Sequence, residues 1–136
     1  MTLSVRGDRR GDHRSGAVAG RGTPGRGTGY STLLLRDHFV PEPFGDQLAP
    51  MLALTTAAGA TRTLRVGSLV LDNDYRHPVM LATEAAALGL LSEGRFELGV
   101  GAGWLRAEYQ RAGLPFDDPA IRVGRLEDPF RCSRGS

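Results

Sequence analysis

Three apolar runs of strand length begin near residues 31, 64 and 95, at spacings of 33 and 31 residues. Parallel strands cannot be joined by a hairpin and need a crossover, usually a helix, so a repeat of about 30 residues is the length of a βα unit. The text between the runs agrees. A strand over Ser31 to Leu35 is a continuous apolar run, the kind buried on both faces of a parallel sheet. A helix is predicted from Gln47 to Ala58, with Asp46 as N-cap and Pro50 in its first turns. A strand over Leu64 to Leu71 follows. The next helix runs from Pro78, suited to the first helical position, to Leu91, with Leu81, Ala85 and Leu88 as its apolar stripe and Gly94 at the stop. A third strand over Arg95 to Val100, a short helix over Leu105 to Arg111, and a last helix starting near Arg122 complete the pattern. The predicted class is α/β with a parallel sheet. Its strand-end loops, 37–39, 72–77 and 101–104, then share one sheet edge, where α/β folds build their sites.

The ends of the chain have a different texture. Residues 1–28 hold six Arg, seven Gly and two Asp, with no periodic apolar face, and are expected to be a disordered Arg/Gly-rich segment. Residues 128–136 read as an irregular tail. The net charge of +2 hides this division: the first 28 residues carry +4, residues 29–128 carry −4 and the last eight carry +2. All 17 basic residues are Arg. A basic total therefore does not imply a basic face on the folded part. The lone Cys132 excludes a disulfide framework and a Cys-rich metal site, and no metal cluster is expected. No apolar run reaches the roughly 20 residues of a membrane span, and no secretion signal is visible. The expected location is the cytoplasm, with no membrane or nucleic-acid partner.

Several motifs carry chemistry. Glu97-Leu98-Gly99-Val100-Gly101-Ala102-Gly103 follows a strand and precedes a helix. Trp104 stands where a dinucleotide fingerprint needs its last Gly. The loop is similar to the acidic Gly-rich loop of Rossmann-type methyltransferases, so a fragment of an S-adenosylmethionine-dependent methyltransferase is one alternative. The Arg21-Gly22 and Arg26-Gly27 pairs make an Arg/Gly-rich nucleic-acid-binding protein another. Asp37-His38 at a strand end pairs an imidazole that titrates near neutral pH with a neighbouring carboxylate able to set its tautomer. Arg76-His77 opens a helix, where an anion is favoured, or simply caps it. Trp104 is a stacking surface for a planar ring or a core aromatic.

From Gly29 onward the chain resembles the luciferase-like monooxygenases. The resemblance rests on Gly29 to Phe39, Ala60 to Asn73, Tyr75-Arg76-His77-Pro78, Leu91 to Trp104 with its Ser92-Glu93-Gly94-Arg95-Phe96 element, and Arg125-Leu126-Glu127. It is nearest the deazaflavin branch (coenzyme F-420), with FMN as the alternative cofactor. The resemblance implies strands two to four of a (β/α)8 TIM barrel over residues 29–127, acting on a small-molecule substrate by hydride transfer or oxygenation. It implies His38 beside the ring with Asp37 supporting it, and a Gly67-Ser68-Leu69 bulge bearing a non-prolyl cis peptide. Asn73, Arg76 and His77 would line the rim, with Gly101, Ala102, Gly103 and Trp104 closing the other side. Trp104 replaces a Glu that serves some dehydrogenases of this group as proton donor, and Glu108 does not align with that acid. A complete barrel takes about 250 residues. The chain is therefore expected to be truncated or flanked by out-of-frame text. It should be weakly active or inactive alone, and need a missing barrel half or a second copy.

Overall fold

A computed structural model describes residues 30–131. The disorder expected for residues 1–28, and the end of the expected tail from Cys132, lie outside the described residues. The elements are β1 (Thr32–Leu35), α1 (Pro50–Ala60), β2 (Arg65–Ser68), β3 (Leu71–Asp72), a 3-10 turn (Asn73–Tyr75), α2 (Pro78–Leu91), β4 (Phe96–Glu97), β5 (Val100–Gly101), α3 (Arg106–Ala112) and α4 (Pro119–Arg131). All strand pairing is parallel. β1, β2 and β4 form one sheet in that order, and β3 pairs β5. The second and third predicted strands are each split, at Leu69-Val70 and at Leu98-Gly99. The split gives a strand foot in the first sheet and a strand tip in the second. This is a part of a parallel barrel with helices on its outside.

The core lies between the sheet and the helix pair. Leu54 and Ala58 of α1, Val66 of β2 and Leu88 of α2 are buried together, with Leu35, Met51, Ala57 and Phe96 packed around them. Each fully buried aliphatic chain contributes about 1.5–3 kcal/mol of transfer free energy. β1 departs from expectation: all four of its residues are only half-buried. Leu35 reaches the helix-side core, while strand alternation turns Leu34 to the other face, which has no covering layer among the described residues. Gly67 sits on that second face, where a Cβ would fall 2.7 Å from the Glu97 carbonyl oxygen and 3.0 Å from Leu34.

Helix ends also differ from the simplest reading. α1 starts with Pro50 at its first position after Ala49, not at Asp46. The Gln47 amide nitrogen instead lies 3.1 Å from each of the carbonyls of Phe44, Gly45 and Asp46, and its two hydrogens, shared among them, hold the preceding turn. Arg95, entering β4, donates to the Ala58 carbonyl at the end of α1 (3.0 Å) and to the Leu64 carbonyl (2.8 Å), which fastens the helix end to the strand. The expected irregular tail is helical as far as Arg131, because α4 continues through Pro129. Proline has no amide hydrogen, so Pro129 leaves the Arg125 carbonyl, four residues back, without a helical donor. The Asn73 side-chain amide donates to that carbonyl at 3.3 Å. Among the described residues, no helix is long and apolar enough to cross a membrane.

Candidate functional site

The three strand-end loops converge as the period predicts. They line a cavity of about 310 Å³ walled by Arg36, Asp37, His38, Phe44, Leu69, Val70, Asp72, Gly101, Ala102, Gly103 and Trp104. A second cavity of about 540 Å³ lies on the other side of Asp37 and His38, against Tyr75, Arg76 and the start of α1. The first is the more informative, because it gathers most of the residues that the sequence singles out. Leu69 and Val70, at the split between β2 and β3, are exposed, and the peptide between them is cis. Trp104 is 60 % exposed. It is therefore no core aromatic, and it stands edge-on to His38 (6.0 Å between ring centres) and to Phe44 (6.2 Å). Phe44 stacks on His38 at 4.6 Å, and the Arg36 guanidinium lies 4.1 Å from the centre of the Phe44 ring.

His38 is held by a carboxylate, but not by the neighbouring one. Its Nδ1 lies 3.0 Å from Glu108 Oε2. The same oxygen accepts from the Tyr75 hydroxyl at 2.8 Å. The other carboxylate oxygen accepts the backbone N–H of Phe39 at 2.8 Å and of Val40 at 3.3 Å. Glu108 is 1 % exposed and His38 11 %. Burial pushes the Glu108 carboxyl up, yet the bonds from His38, Tyr75, Phe39 and Val40 outweigh it and hold the group below the usual carboxylate range. Burial and the Glu108 bond keep the Tyr75 hydroxyl far above its ordinary range, so it stays a donor.

Asp37 is engaged elsewhere, which corrects the expectation that it supports His38. Both its oxygens take the Arg76 guanidinium, Oδ1 at 3.0 Å, and Oδ2 also accepts the Asp72 N–H at 3.0 Å. The Asp37 bond raises the Arg76 guanidinium above its already high value, so Arg76 stays charged. The two neighbours lie just past the end of β1 and take partners from different elements, Arg76 before α2 and Glu108 in α3.

The far wall is built on a second buried polar cluster. The Tyr109 hydroxyl lies 3.1 Å from both Asp72 oxygens, 3.0 Å from Asp74 Oδ2 and 3.4 Å from the Ala102 carbonyl. One hydroxyl hydrogen cannot serve all four acceptors. Arg125 neutralises Asp74 through two bonds of 3.0 and 2.9 Å. Asp72 has no cation of its own in that cluster, and burial raises its carboxyl above the ordinary range. Gly103 packs directly on the pair: its φ is +70°, and a Cβ there would land on the Tyr109 hydroxyl and the Asp72 carboxylate.

Other expected site residues are placed outside the cavity. Ser68 is buried; its hydroxyl donates to the Gly99 carbonyl (2.8 Å) and accepts the Gly99 N–H (2.9 Å). Asn73 lies buried under α4 on the Arg125 carbonyl. His77 is the exposed N-cap of α2, its Nδ1 accepting the Val79 N–H at 3.3 Å. Arg76 faces the larger cavity. Glu108, Tyr75 and Phe44 are functional candidates that sequence reasoning did not select. A helical wheel was the available signal for Glu108, since it lies opposite the exposed Arg106 and Gln110. Among the described residues, no group of three or more His, Cys, Asp or Glu could hold a metal ion.

The family model for luciferase-like monooxygenases matches residues 27–128. The chain is 39% identical over 92 residues to a 4-hydroxyprotoasukamycin monooxygenase from Streptomyces nodosus subsp. asukaensis, covering 68% of this chain and 24% of that protein. It is 33% identical over 109 residues to an F420-dependent glucose-6-phosphate dehydrogenase from Amycolatopsis mediterranei, covering 78% of this chain and 33% of the relative. Among solved structures, the monooxygenase RslO1 from Streptomyces bottropensis superposes with a TM-score of 0.66 at 27% identity, over 76% of this chain and 32% of that one. The chain thus spans about a quarter to a third of the length of these relatives.

Proposed function

This chain belongs to the luciferase-like monooxygenase family, and from that premise we propose that its smaller cavity is the ring-side wall of a deazaflavin or flavin oxidoreductase site. The family match leaves the methyltransferase and nucleic-acid readings without support. The observation that carries the proposal is the lining. An imidazole, two exposed aliphatic side chains, two aromatic rings and a Gly-rich loop surround about 310 Å³, with Arg36, Asp37 and Asp72 as its charged groups. Small-ligand sites have that character: mostly apolar and aromatic walls with few, fixed polar groups. The chain's residues fit a flat heteroaromatic ring. Leu69, Val70 and Gly101 to Gly103 would hold the ring, Trp104 and Phe44 would bound it, and His38 would hold or release a proton at its edge. Gly67 and Ser68 fix the segment that carries Leu69, while Asn73 fixes α4.

Coenzyme F-420 is the proposed cofactor and FMN the alternative; when bound, the first supplies hydride transfer and the second hydride transfer or oxygen activation. The walls described here exclude water from two sides and orient His38 through Phe44 and Glu108. The remaining walls would come from the other strands of a barrel, and a small-molecule substrate is proposed to enter between the parts. Binding by this chain alone is therefore expected to be weak. The test is a titration of the full chain with each cofactor, followed by ring fluorescence. A saturable quench with half-saturation above the micromolar range, weakened at least tenfold in Leu69→Asp, supports the reading. No quench by either cofactor, or one untouched by Leu69→Asp, overturns it.

A further inference from the structure

We propose that Glu108 is a positioning residue that holds His38 as the Nδ1–H tautomer and so presents a bare Nε2 to the cavity. The inference rests on the cavity reading for its functional meaning, but its structural content stands on the geometry alone. The Glu108 carboxylate cannot rotate freely. Its Oε1 is pinned by two backbone N–H groups of the loop that carries His38, Phe39 at 2.8 Å and Val40 at 3.3 Å. Oε2 is thereby aimed at the Tyr75 hydroxyl and His38 Nδ1. A carboxylate is acceptor-only, so the 3.0 Å contact requires the hydrogen to sit on Nδ1. Neutral imidazole carries one such hydrogen, and Nε2 is left with its lone pair. Nε2 has no partner among the described residues. The stack on Phe44 fixes the ring plane, and the ring edge meets Trp104.

The charged neighbours support the assignment. Asp37, the other carboxylate beside His38, is consumed by Arg76 and the Asp72 N–H and has no hydrogen bond to the ring. Arg36 lies over the Phe44 ring. Tyr75 donates into Glu108 and keeps the carboxylate ionised from the other side. An unrestrained imidazole in water prefers the opposite tautomer, so the device is selective: it converts His38 from a hydrogen-bond donor at the cavity into an acceptor. A group of that kind takes a proton from a substrate hydroxyl, or accepts a hydrogen bond from a ring N–H. Trp104, in the loop on the far wall, offers no exchangeable acid there.

The test is the nitrogen spectrum of the full chain labelled with 15N-histidine, recorded above the imidazole titration, with His38→Gln identifying the His38 signals. The expected pattern for His38 is a protonated, pyrrole-type Nδ1 and an unprotonated, pyridine-type Nε2. Glu108→Gln then supplies a discriminating change. Its amide oxygen is retained by the Phe39 and Val40 N–H groups, so its NH2 faces Nδ1, and the His38 tautomer should invert while the amide dispersion of the chain stays native. An Nε2–H tautomer in the wild-type chain overturns the proposal, as does a folded Glu108→Gln variant whose tautomer is unchanged. If Glu108→Gln does not fold, Tyr75→Phe removes one donor from Oε2 but leaves the His38 contact, and the Nδ1–H pattern should persist. The spectrum needs no cofactor. A failed cofactor titration with the Nδ1–H tautomer intact sinks the cavity reading and not this one, and the reverse outcome separates them equally well.

Discussion

Replacing Ser68 with Ala removes one oxygen atom and little else, and the structure says what that atom holds. The hydroxyl donates to the Gly99 carbonyl at 2.8 Å and accepts the Gly99 N–H at 2.9 Å, joining the end of β2 to the split in the third strand. The carbonyl keeps a second donor, the Leu71 N–H at 2.9 Å, so losing the hydroxyl there costs about 0.5–1.5 kcal/mol. The Gly99 N–H loses its acceptor. An unpaired buried donor costs about 1–3 kcal/mol, and half-burial of Gly99 puts it near the lower end. The sum is about 2 kcal/mol, which for a folded unit near 100 residues lowers the melting midpoint by roughly 8–16 °C. Urea unfolding of both chains, followed by far-ultraviolet circular dichroism, measures it, with the slope in urea unchanged. Cofactor affinity in the titration above should move less than threefold. A loss below about 0.5 kcal/mol would mean that water replaces the hydroxyl, and a larger fall in affinity than in stability would mean that Ser68 touches the ring.

Three more outcomes follow. Gly103→Ala places a Cβ on the Tyr109 hydroxyl at a positive φ, so it should cost about 2 kcal/mol or more in urea unfolding and weaken cofactor binding. Arg95→Met strips the bonds to the Ala58 and Leu64 carbonyls; a loss of about 2–3 kcal/mol is expected, with helix α1 fraying first in hydrogen exchange. Asp72 has a raised folded pKa, so its contribution to stability is full below the ordinary carboxylate range and is lost as pH rises through the folded value. Asp72→Asn cannot ionise, and the stability of wild type relative to this variant should therefore fall as the pH is taken from 4 to 7; a difference independent of pH would refute the assignment.

The period of the strands and the stripe of α2 were legible because they are local. Pro78 can occupy only a first turn, Leu81 and Leu88 need one face, and the helix runs over Pro78–Leu91 as expected. The cavity wall from Leu69 to Trp104 was legible for the same reason, since every strand-end loop of a parallel sheet meets at one edge. The pairing of side chains was not. Asp37 and His38 are neighbours in the chain, and adjacency suggested a pair. Their partners, Arg76 and Glu108, are 39 and 70 residues away. A glutamate inside a seven-residue helix with two Arg reads as solvated, and only the depth to which α3 docks makes Glu108 a buried group. The continuation of α4 past Glu127 was hidden behind Pro129, because its missing donor is made good by a side chain from another element.

The described side chains of α4 meet the rest of the molecule mainly through polar contacts. Arg122 Nε donates to the Ala102 carbonyl at 3.1 Å, Arg125 grips Asp74 and Asp117, and Asn73 meets the Arg125 carbonyl. The apolar core beneath α1 and α2 includes none of its described side chains. Such a helix forms its own cooperative opening unit, with a lower free energy of release than the core. When it lifts, the Gly-rich loop loses its outer clamp at the same moment. The amides of α4 and of residues 101–104 should therefore exchange with deuterium at one common rate, while those of α1 and β2 exchange more slowly, so the thermal breathing of the far wall is set by a helix whose described side chains lie outside the cavity lining.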